Sequence, residues 1–172
     1  MSQSKGKFSK ILVAIDGSQP SMDAAYYAVA IAKKENTSEL IALHVVLSQI
    51  GYAYSSSGAF GNHLVTPGSI KKILESAKNE AKQWFDKIKE KMNDNSNNEN
   101  SKNDNKIWLK TEVVVSATSI VDAIIEYAEQ QKVDLIVIGT RRRSNFTKLL
   151  LGSVASGIIT CASCPVMVVK RI

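Results

Sequence analysis

The chain has 172 residues and a net charge of +6, from 22 Lys and Arg against 16 Asp and Glu. This length suits a single domain over residues 1–172, and a hydrophobic fraction of 44% excludes a wholly disordered chain. Two cysteines are too few for a disulfide-rich secreted scaffold, and residues 1–10 lack the apolar core of a signal peptide, so we expect a cytoplasmic protein.

The first part of the chain predicts a strand, a helix and a second strand. Lys10–Ile15 is a nearly continuous apolar run, typical of a strand buried on both faces, and residues 1–9 before it predict a flexible tail. Helical spacing of apolar residues follows over Ser18–Lys34. Leu40–Leu47 predicts the second strand, whereas residues 48–69 are rich in Gly, Ser and Tyr, show no period and predict a long loop.

The middle of the chain predicts one helix and one strand, separated by an insert. Ile70–Met92 is strongly amphipathic, with Lys and Glu on its polar face. Residues 93–106 hold seven asparagines and predict a flexible, Asn-rich insert. Ile107–Val115 alternates apolar and polar residues, as a strand does.

The last part of the chain predicts a helix, a strand, a helix and a strand. Ile120–Ala128 has helical spacing, and Val133–Ile138 is a short apolar run that predicts a buried strand. After a basic loop at 140–148, Gly152–Cys161 predicts another helix and Val166–Val169 a final strand.

This order predicts an α/β fold: one open, five-stranded parallel sheet with helices on both faces. The uncharged stretch 149–169 has the length of a membrane span. Several hydroxyl side chains dilute it and Pro165 would break it, so a helix followed by a strand explains it better. We therefore expect no membrane association.

Polar and glycine residues follow the predicted strands at the edge where parallel sheets bind ligands. Asp16 follows the first strand, and Gly139 leads into Arg141–Arg143. Gly152 and Ser153 open a helix, whose free N–H groups attract anions. This spacing fits a phosphate site, but it also fits an ordinary strand end, a helix cap and solvated arginines. Neither a Walker pattern nor G-x-G-x-x-G is present.

Five segments form an ordered series of motifs: Ile11–Ser18 with Ser21, Leu43–Val46, Asp134–Arg141, Leu151–Ala155 and Cys164–Val169. Together they resemble the motifs of the universal stress protein family over nearly the whole chain. The resemblance implies a Rossmann-like five-stranded sheet and a homodimer paired through the last strand, Val166–Val169. In nucleotide-binding members it also implies ATP or AMP, with or without Mg²⁺, held by a G-x2-G-x9-G-[ST] pattern.

The resemblance implies nucleotide-binding roles for nine residues: Ala14, Asp16, Val45, Gly139, Arg141, Arg142, Gly152, Ser153 and Val154. Asp16 and the backbone near Val45 would face the nucleoside, and Gly139, Gly152 and Ser153 the ribose and phosphates. One position departs from the pattern, since Arg142 stands at its second glycine. Its side chain would either fill the phosphate space or pair with phosphate through two hydrogen bonds.

Two functions are therefore weighed. The first is a small regulatory protein of the stress response that binds an adenine nucleotide. The second is a nucleotide-free protein that uses the Arg141–Arg143 loop for a protein or nucleic-acid partner, although the loop lacks the interleaved aromatics of a nucleic-acid surface.

No arrangement of catalytic side chains stands out, so we expect a binding protein rather than an enzyme. Cys161 and Cys164 form a C-x-x-C without a matching second pair, which predicts neither a structural metal nor a redox centre. His44 lies among apolar residues, so we expect a structural role for it.

Overall fold

The computed structural model describes residues 8–48, 67–94, 107–140 and 151–170, and it confirms the predicted α/β architecture. Within these ranges five strands form one parallel sheet: β1 (Lys10–Ala14), β2 (Glu39–Leu47), β3 (Trp108–Ser116), β4 (Leu135–Gly139) and β5 (Val166–Val169). Four helices connect them: α1 (Gln19–Lys34), α2 (Pro67–Asn93), α3 (Ile120–Gln131) and α4 (Ser153–Cys161).

The helices cover both faces of the sheet, because each buried strand sends alternate side chains to opposite sides. Ile11 and Val13 of β1 lie in a core cluster with α1 and α2. Leu12, between them, lies in a second cluster with α3 and α4. A strand in this position is apolar along its whole length, which is why the sequence shows runs rather than alternation.

The strand order is β3-β2-β1-β4-β5, so the two halves of the chain add their strands on opposite sides of β1. The switch point of the sheet therefore lies between the neighbouring strands β1 and β4. From β1 the chain builds outward to β3, then returns to the other side of β1 to add β4 and β5. Ala14 at the end of β1 is aligned with Leu43 of β2 on one side and Ile138 of β4 on the other. The ends of β1 and β4 therefore frame the crevice where ligands bind in such sheets.

The element boundaries differ from the sequence prediction most at α2 and α3, whereas the strand ends shift by one or two residues. α2 begins at Pro67, inside the predicted loop 48–69, because proline suits the first turn of a helix. α3 continues past Ala128 to Gln131. Residues 49–66 of the predicted loop lie outside the described residues.

The predicted tail and insert fall almost wholly outside the described residues, which include only 8–9 of the tail and 93–94 of the insert. The Thr37 hydroxyl donates to the Phe8 carbonyl oxygen at 2.8 Å, and the Ser38 N–H donates to that of Ser9 at 2.9 Å. Asn93 is the last residue of α2. None of the described helices is both long and apolar enough to cross a membrane.

Candidate functional site

The loop after β1 holds Asp16 in a defined position at the carboxyl edge of the sheet. Ser18 donates twice to Oδ1 of Asp16, from its hydroxyl at 2.5 Å and from its backbone N–H at 3.0 Å. The Asp16 N–H donates to the Ser21 hydroxyl at 3.3 Å. The side chain of Asp16 is exposed, so the loop presents a fixed carboxylate to solvent beside the crevice.

Ser18 takes the N-cap position of α1, as the sequence predicts, but its side chain does not cap the helix. Its hydroxyl binds Asp16 instead, which fixes the carboxylate rather than a backbone N–H of α1. Pro20 lies in the first turn as predicted, where its missing N–H removes no helical hydrogen bond.

Gly139 ends β4 directly against the first turn of α1. A Cβ on this residue would lie less than 3.0 Å from the carbonyl carbon and oxygen of Pro20 and from the backbone nitrogen of Ser21. The sequence interpretation gave Gly139 a ligand-facing role. The structure shows that its missing side chain also lets α1 approach the sheet, which brings the Asp16 loop next to the end of β4.

Gly152 and Ser153 form an open helix start. Gly152 is the N-cap of α4 and provides no side-chain hydrogen bond, and a Cβ there would meet nothing within 4 Å. The backbone N–H groups of the first helical turn have no acceptor within the helix, so they and the helix dipole favour an anion. Ser153 is exposed at the same end and adds a hydroxyl.

The start of α4 lies at the carboxyl edge of the sheet, because α4 follows β4 and leads back to the parallel strand β5. Ala155 is buried in the same core cluster as Ile138, and Val154 and Ala14 pack against that cluster. Val45 of β2, only 8% exposed, belongs to it as well. Seven of the nine predicted site residues are described, and they lie on or next to β1, β2, β4 and α4: Ala14, Asp16, Val45, Gly139, Gly152, Ser153 and Val154.

Arg141 and Arg142 lie outside the described residues, as do Arg143 and Lys148. The two interpretations of Arg142, blocking phosphate or pairing with it, therefore stay predictions.

Sequence reasoning missed the contact that holds the Asp16 loop from the α2 side. Gly17 has φ +75°, and a Cβ on it would lie less than 3.0 Å from three ring atoms of Trp84. Nδ1 of His44 lies 2.8 Å from the carbonyl oxygen of Ile15, and its ring meets that of Trp84 edge-on at 5.1 Å. His44 therefore has the structural role that the sequence predicts. The glycine after Asp16 was the one signal for a close approach at this position.

The described residues hold no metal cluster and no disulfide. They contain no cluster of three or more His, Cys, Asp or Glu side chains able to hold a metal ion. Cys161 and Cys164 are not joined by a disulfide. Burial, aided by the nearby negative charge of Asp134, raises the pKa of the Cys164 thiol, which disfavours its reactive thiolate form.

Comparison with known proteins agrees with the sequence motifs. The model of the universal stress protein family matches residues 7–170. The chain belongs to the universal stress protein family. It is 34% identical to universal stress protein MJ0531 of Methanocaldococcus jannaschii, over 95% of this chain and 83% of that protein. It is 30% identical to universal stress protein YxiE of Bacillus subtilis, over 95% of this chain and 99% of that protein.

Solved structures of the family share the fold. The MJ0577 protein of Methanocaldococcus jannaschii superposes with a TM-score of 0.68 at 25% identity, covering 96% of this chain and 98% of its own. An Archaeoglobus fulgidus universal stress protein in complex with dAMP has a TM-score of 0.58 at 20% identity, covering 94% of this chain and 97% of its own. A universal stress protein in complex with cAMP has a TM-score of 0.62, also at 20%, covering 95% and 97%.

Proposed function

We propose that the protein binds an adenine nucleotide, ATP or AMP, at the carboxyl edge of its sheet and acts as a regulatory protein of the stress response. The observation that carries the proposal is the start of α4, which makes no side-chain cap within the described residues and lies at the same carboxyl edge of the sheet as the fixed carboxylate of Asp16. The helix start attracts anions and so suits the phosphates of a nucleotide, whereas the Asp16 carboxylate accepts hydrogen bonds and so suits its nucleoside.

Each part of the site has a role in this proposal. The first-turn N–H groups of α4 and the Ser153 hydroxyl donate to phosphate. The exposed carboxylate of Asp16 accepts from a donor of the nucleoside. Ala14, Val45 and Val154 supply the apolar surface beside it, as they contribute to the core cluster that ends at this edge.

The dAMP and cAMP complexes of two structural relatives support the choice of an adenine nucleotide. Both relatives are 20% identical to this chain, so the choice rests on this chain's own residues as much as on theirs. ATP, and Mg²⁺ with it, is the finer part of the proposal and follows from the retained Gly139, Gly152 and Ser153 of the family pattern.

The protein is proposed to act by binding rather than catalysis, as a cytoplasmic homodimer paired through β5. Among the described residues no group of three or more His, Cys, Asp or Glu side chains is placed to hold a metal ion that could activate water. β5 is the last strand in the order of the described sheet, which pairing with a second copy through Val166–Val169 requires.

Calorimetric titration with AMP and ATP tests the proposal. Ser153→Ala is expected to weaken binding about tenfold, because a hydrogen bond to a charged group is lost. Asp16→Asn changes one nucleoside contact and is expected to weaken both nucleotides alike. Ser163→Ala, an exposed serine in the turn after α4, is the matched control and should bind as the parent does. Native mass spectrometry of the purified parent reports copurified nucleotide and subunit number together.

Arg142→Gly separates the two functions. Binding by this variant but not by the parent would show that the arginine blocks the site. Absence of binding by both would refute the nucleotide proposal and favour the interaction function of the Arg141–Arg143 loop. Steep salt dependence of oligonucleotide binding would then identify a nucleic-acid partner.

A further inference from the structure

A groove of about 790 Å³ runs between α2 and the outer edge of β3, far along the sheet from the nucleotide site. Its helical wall carries three exposed lysines, Lys78, Lys82 and Lys89. Its floor is apolar and includes the half-buried side chains of Phe85 and Met92. The groove thus combines a positive wall with an apolar floor, and the proposed nucleotide binding uses neither.

The other wall of the groove is an edge strand. Among the described residues β3 pairs with β2 alone. The Trp108 N–H donates to Ser38 at one end of the strand, and the Ser116 carbonyl accepts from Ser48 at the other. Because backbone groups alternate in direction along a strand, the even-numbered residues bind β2. Leu109, Thr111 and Val113 therefore point their N–H and C=O groups outward.

The lysines of the groove form no ion pair with another described residue. Within the described ranges, none of these three ammonium groups lies within 4.0 Å of a carboxylate. Asp86 is the acidic side chain that α2 contributes to the groove, and Glu112 of β3 is already paired with Lys110 at 3.8 Å. The helical wall therefore has an excess of positive charge that a negatively charged occupant would neutralise.

The dimensions of the groove suit an extended chain. Lys78 and Lys82 are one helical turn apart, about 6 Å along the axis. Every second residue of a strand is about 7 Å apart and points to the same side. Acidic side chains at alternate positions of an added strand therefore match the spacing of these lysines, and the strand's backbone would meet the outward groups of β3. Trp108, 65% exposed at the mouth of the groove, offers an apolar contact beside it.

We propose that the groove between α2 and β3 is a docking site for an acidic segment of a partner protein, bound in extended conformation as a sixth strand next to β3. The partner's main chain pairs with Leu109, Thr111 and Val113, and its acidic side chains face the three lysines. Peptide binding next to β3 uses none of the residues proposed to bind the nucleotide, so either proposal can fail without the other.

The test uses the full chain and a capped seven-residue peptide that alternates glutamate and valine. Its lysine–valine counterpart is the charge control, and a thymidine oligonucleotide represents nucleic acid. The acidic peptide is expected to bind, to change Trp108 fluorescence and to slow amide exchange at Leu109, Thr111 and Val113. Neither the lysine–valine peptide nor the oligonucleotide is expected to produce this protection.

Two pairs of variants locate the contact. Replacing Lys78, Lys82 and Lys89 by Gln is expected to weaken peptide binding about tenfold. The same change at Lys71, Lys72 and Lys87, which lie on α2 but do not line the groove, should leave it unchanged. Thr111→Pro removes one outward N–H and should abolish strand pairing, whereas Thr111→Val retains the donor and should bind as the parent does.

Three results would overturn the proposal. One is protection of these β3 amides in the chain without peptide, since the edge would already be covered. A second is equal binding of the acidic and basic peptides, or no binding of the acidic one. The third is lysine-dependent binding of the oligonucleotide in place of the acidic peptide, which would assign the groove to nucleic acid.

Discussion

Replacing Gly17 with alanine would place a methyl group where the indole of Trp84 already lies. Gly17 has φ +75°, a conformation that costs an L-residue about 1 kcal/mol. The added Cβ would also lie less than 3.0 Å from three ring atoms of Trp84, which is itself buried. Overpacking of this kind costs about 1–3 kcal/mol. We therefore expect Gly17→Ala to lower the free energy of unfolding by about 3 kcal/mol.

The two contributions separate in a double-mutant cycle with Trp84→Leu. The smaller side chain leaves space above Gly17, at a cost of about 2 kcal/mol for the lost ring. In that background Gly17→Ala should cost only about 1 kcal/mol, because the backbone strain remains and the clash is gone. The expected coupling energy between the two positions is therefore about 2 kcal/mol, within the range found for residues in direct contact.

Urea denaturation followed by far-ultraviolet circular dichroism measures all four chains without relying on tryptophan emission. The parent, both single variants and the double variant each give a free energy of unfolding from the same measurement. An equal loss on Gly17→Ala in the parent and in the Trp84→Leu background would refute the clash as the cause. A loss well below about 1 kcal/mol in the parent would show that the loop also relaxes out of its left-handed conformation.

Three further expectations follow from individual contacts. Gly139→Ala should destabilise the fold by about 2 kcal/mol, because its Cβ meets the Pro20 backbone. Gly152→Ala should cost less, because its Cβ meets nothing within 4 Å and alanine is only a poorer N-cap than glycine; equal melting temperatures of the two variants would contradict this. Thr37→Val should cost about 1 kcal/mol in urea denaturation by removing the hydrogen bond that the Thr37 hydroxyl donates to the Phe8 carbonyl oxygen, and Thr37→Ser should cost less. In a Cys161→Ser background, iodoacetamide at about pH 8 should alkylate Cys164 more slowly in the folded chain than in urea. The reason is that burial raises the pKa of the Cys164 thiol and so lowers its thiolate fraction. Equal alkylation rates would contradict the raised pKa.

Much of the fold could be predicted from local patterns. Ile11–Ala14 of β1 and Leu135–Ile138 of β4 are apolar because strands in the middle of a parallel sheet are buried on both faces. A continuous apolar run in the sequence therefore predicts such a strand. Ala77, Ala81, Trp84 and Ile88 keep helical spacing, and all four are buried on the inner side of α2. The start of α2 was missed because residues 67–69 have the composition of a turn, although Pro67 also suits a helix start.

The candidate site was predictable to the extent that it follows strand ends. Asp16 and the Gly152–Ser153 helix start could be found because parallel strands bring their carboxyl ends to one edge. The contact of Trp84 with Gly17 could not be predicted, since the sequence shows Trp84 only as one of several apolar residues of an amphipathic helix. Nothing in local periodicity says which loop such a residue will touch.

The sequence by itself determined the secondary structure, the two-faced burial and the presence of glycine, carboxylate and hydroxyl groups at strand ends. Only the tertiary structure decided the strand order, the Gly17–Trp84 contact and the place of β3 at one end of the described sheet beside three lysines. The physical reason is that hydrophobic periodicity and helix capping depend on residues a few positions apart along the chain, so they determine secondary structure only. The approach of α1 to Gly139, like the groove between α2 and β3, depends on packing between segments far apart in sequence.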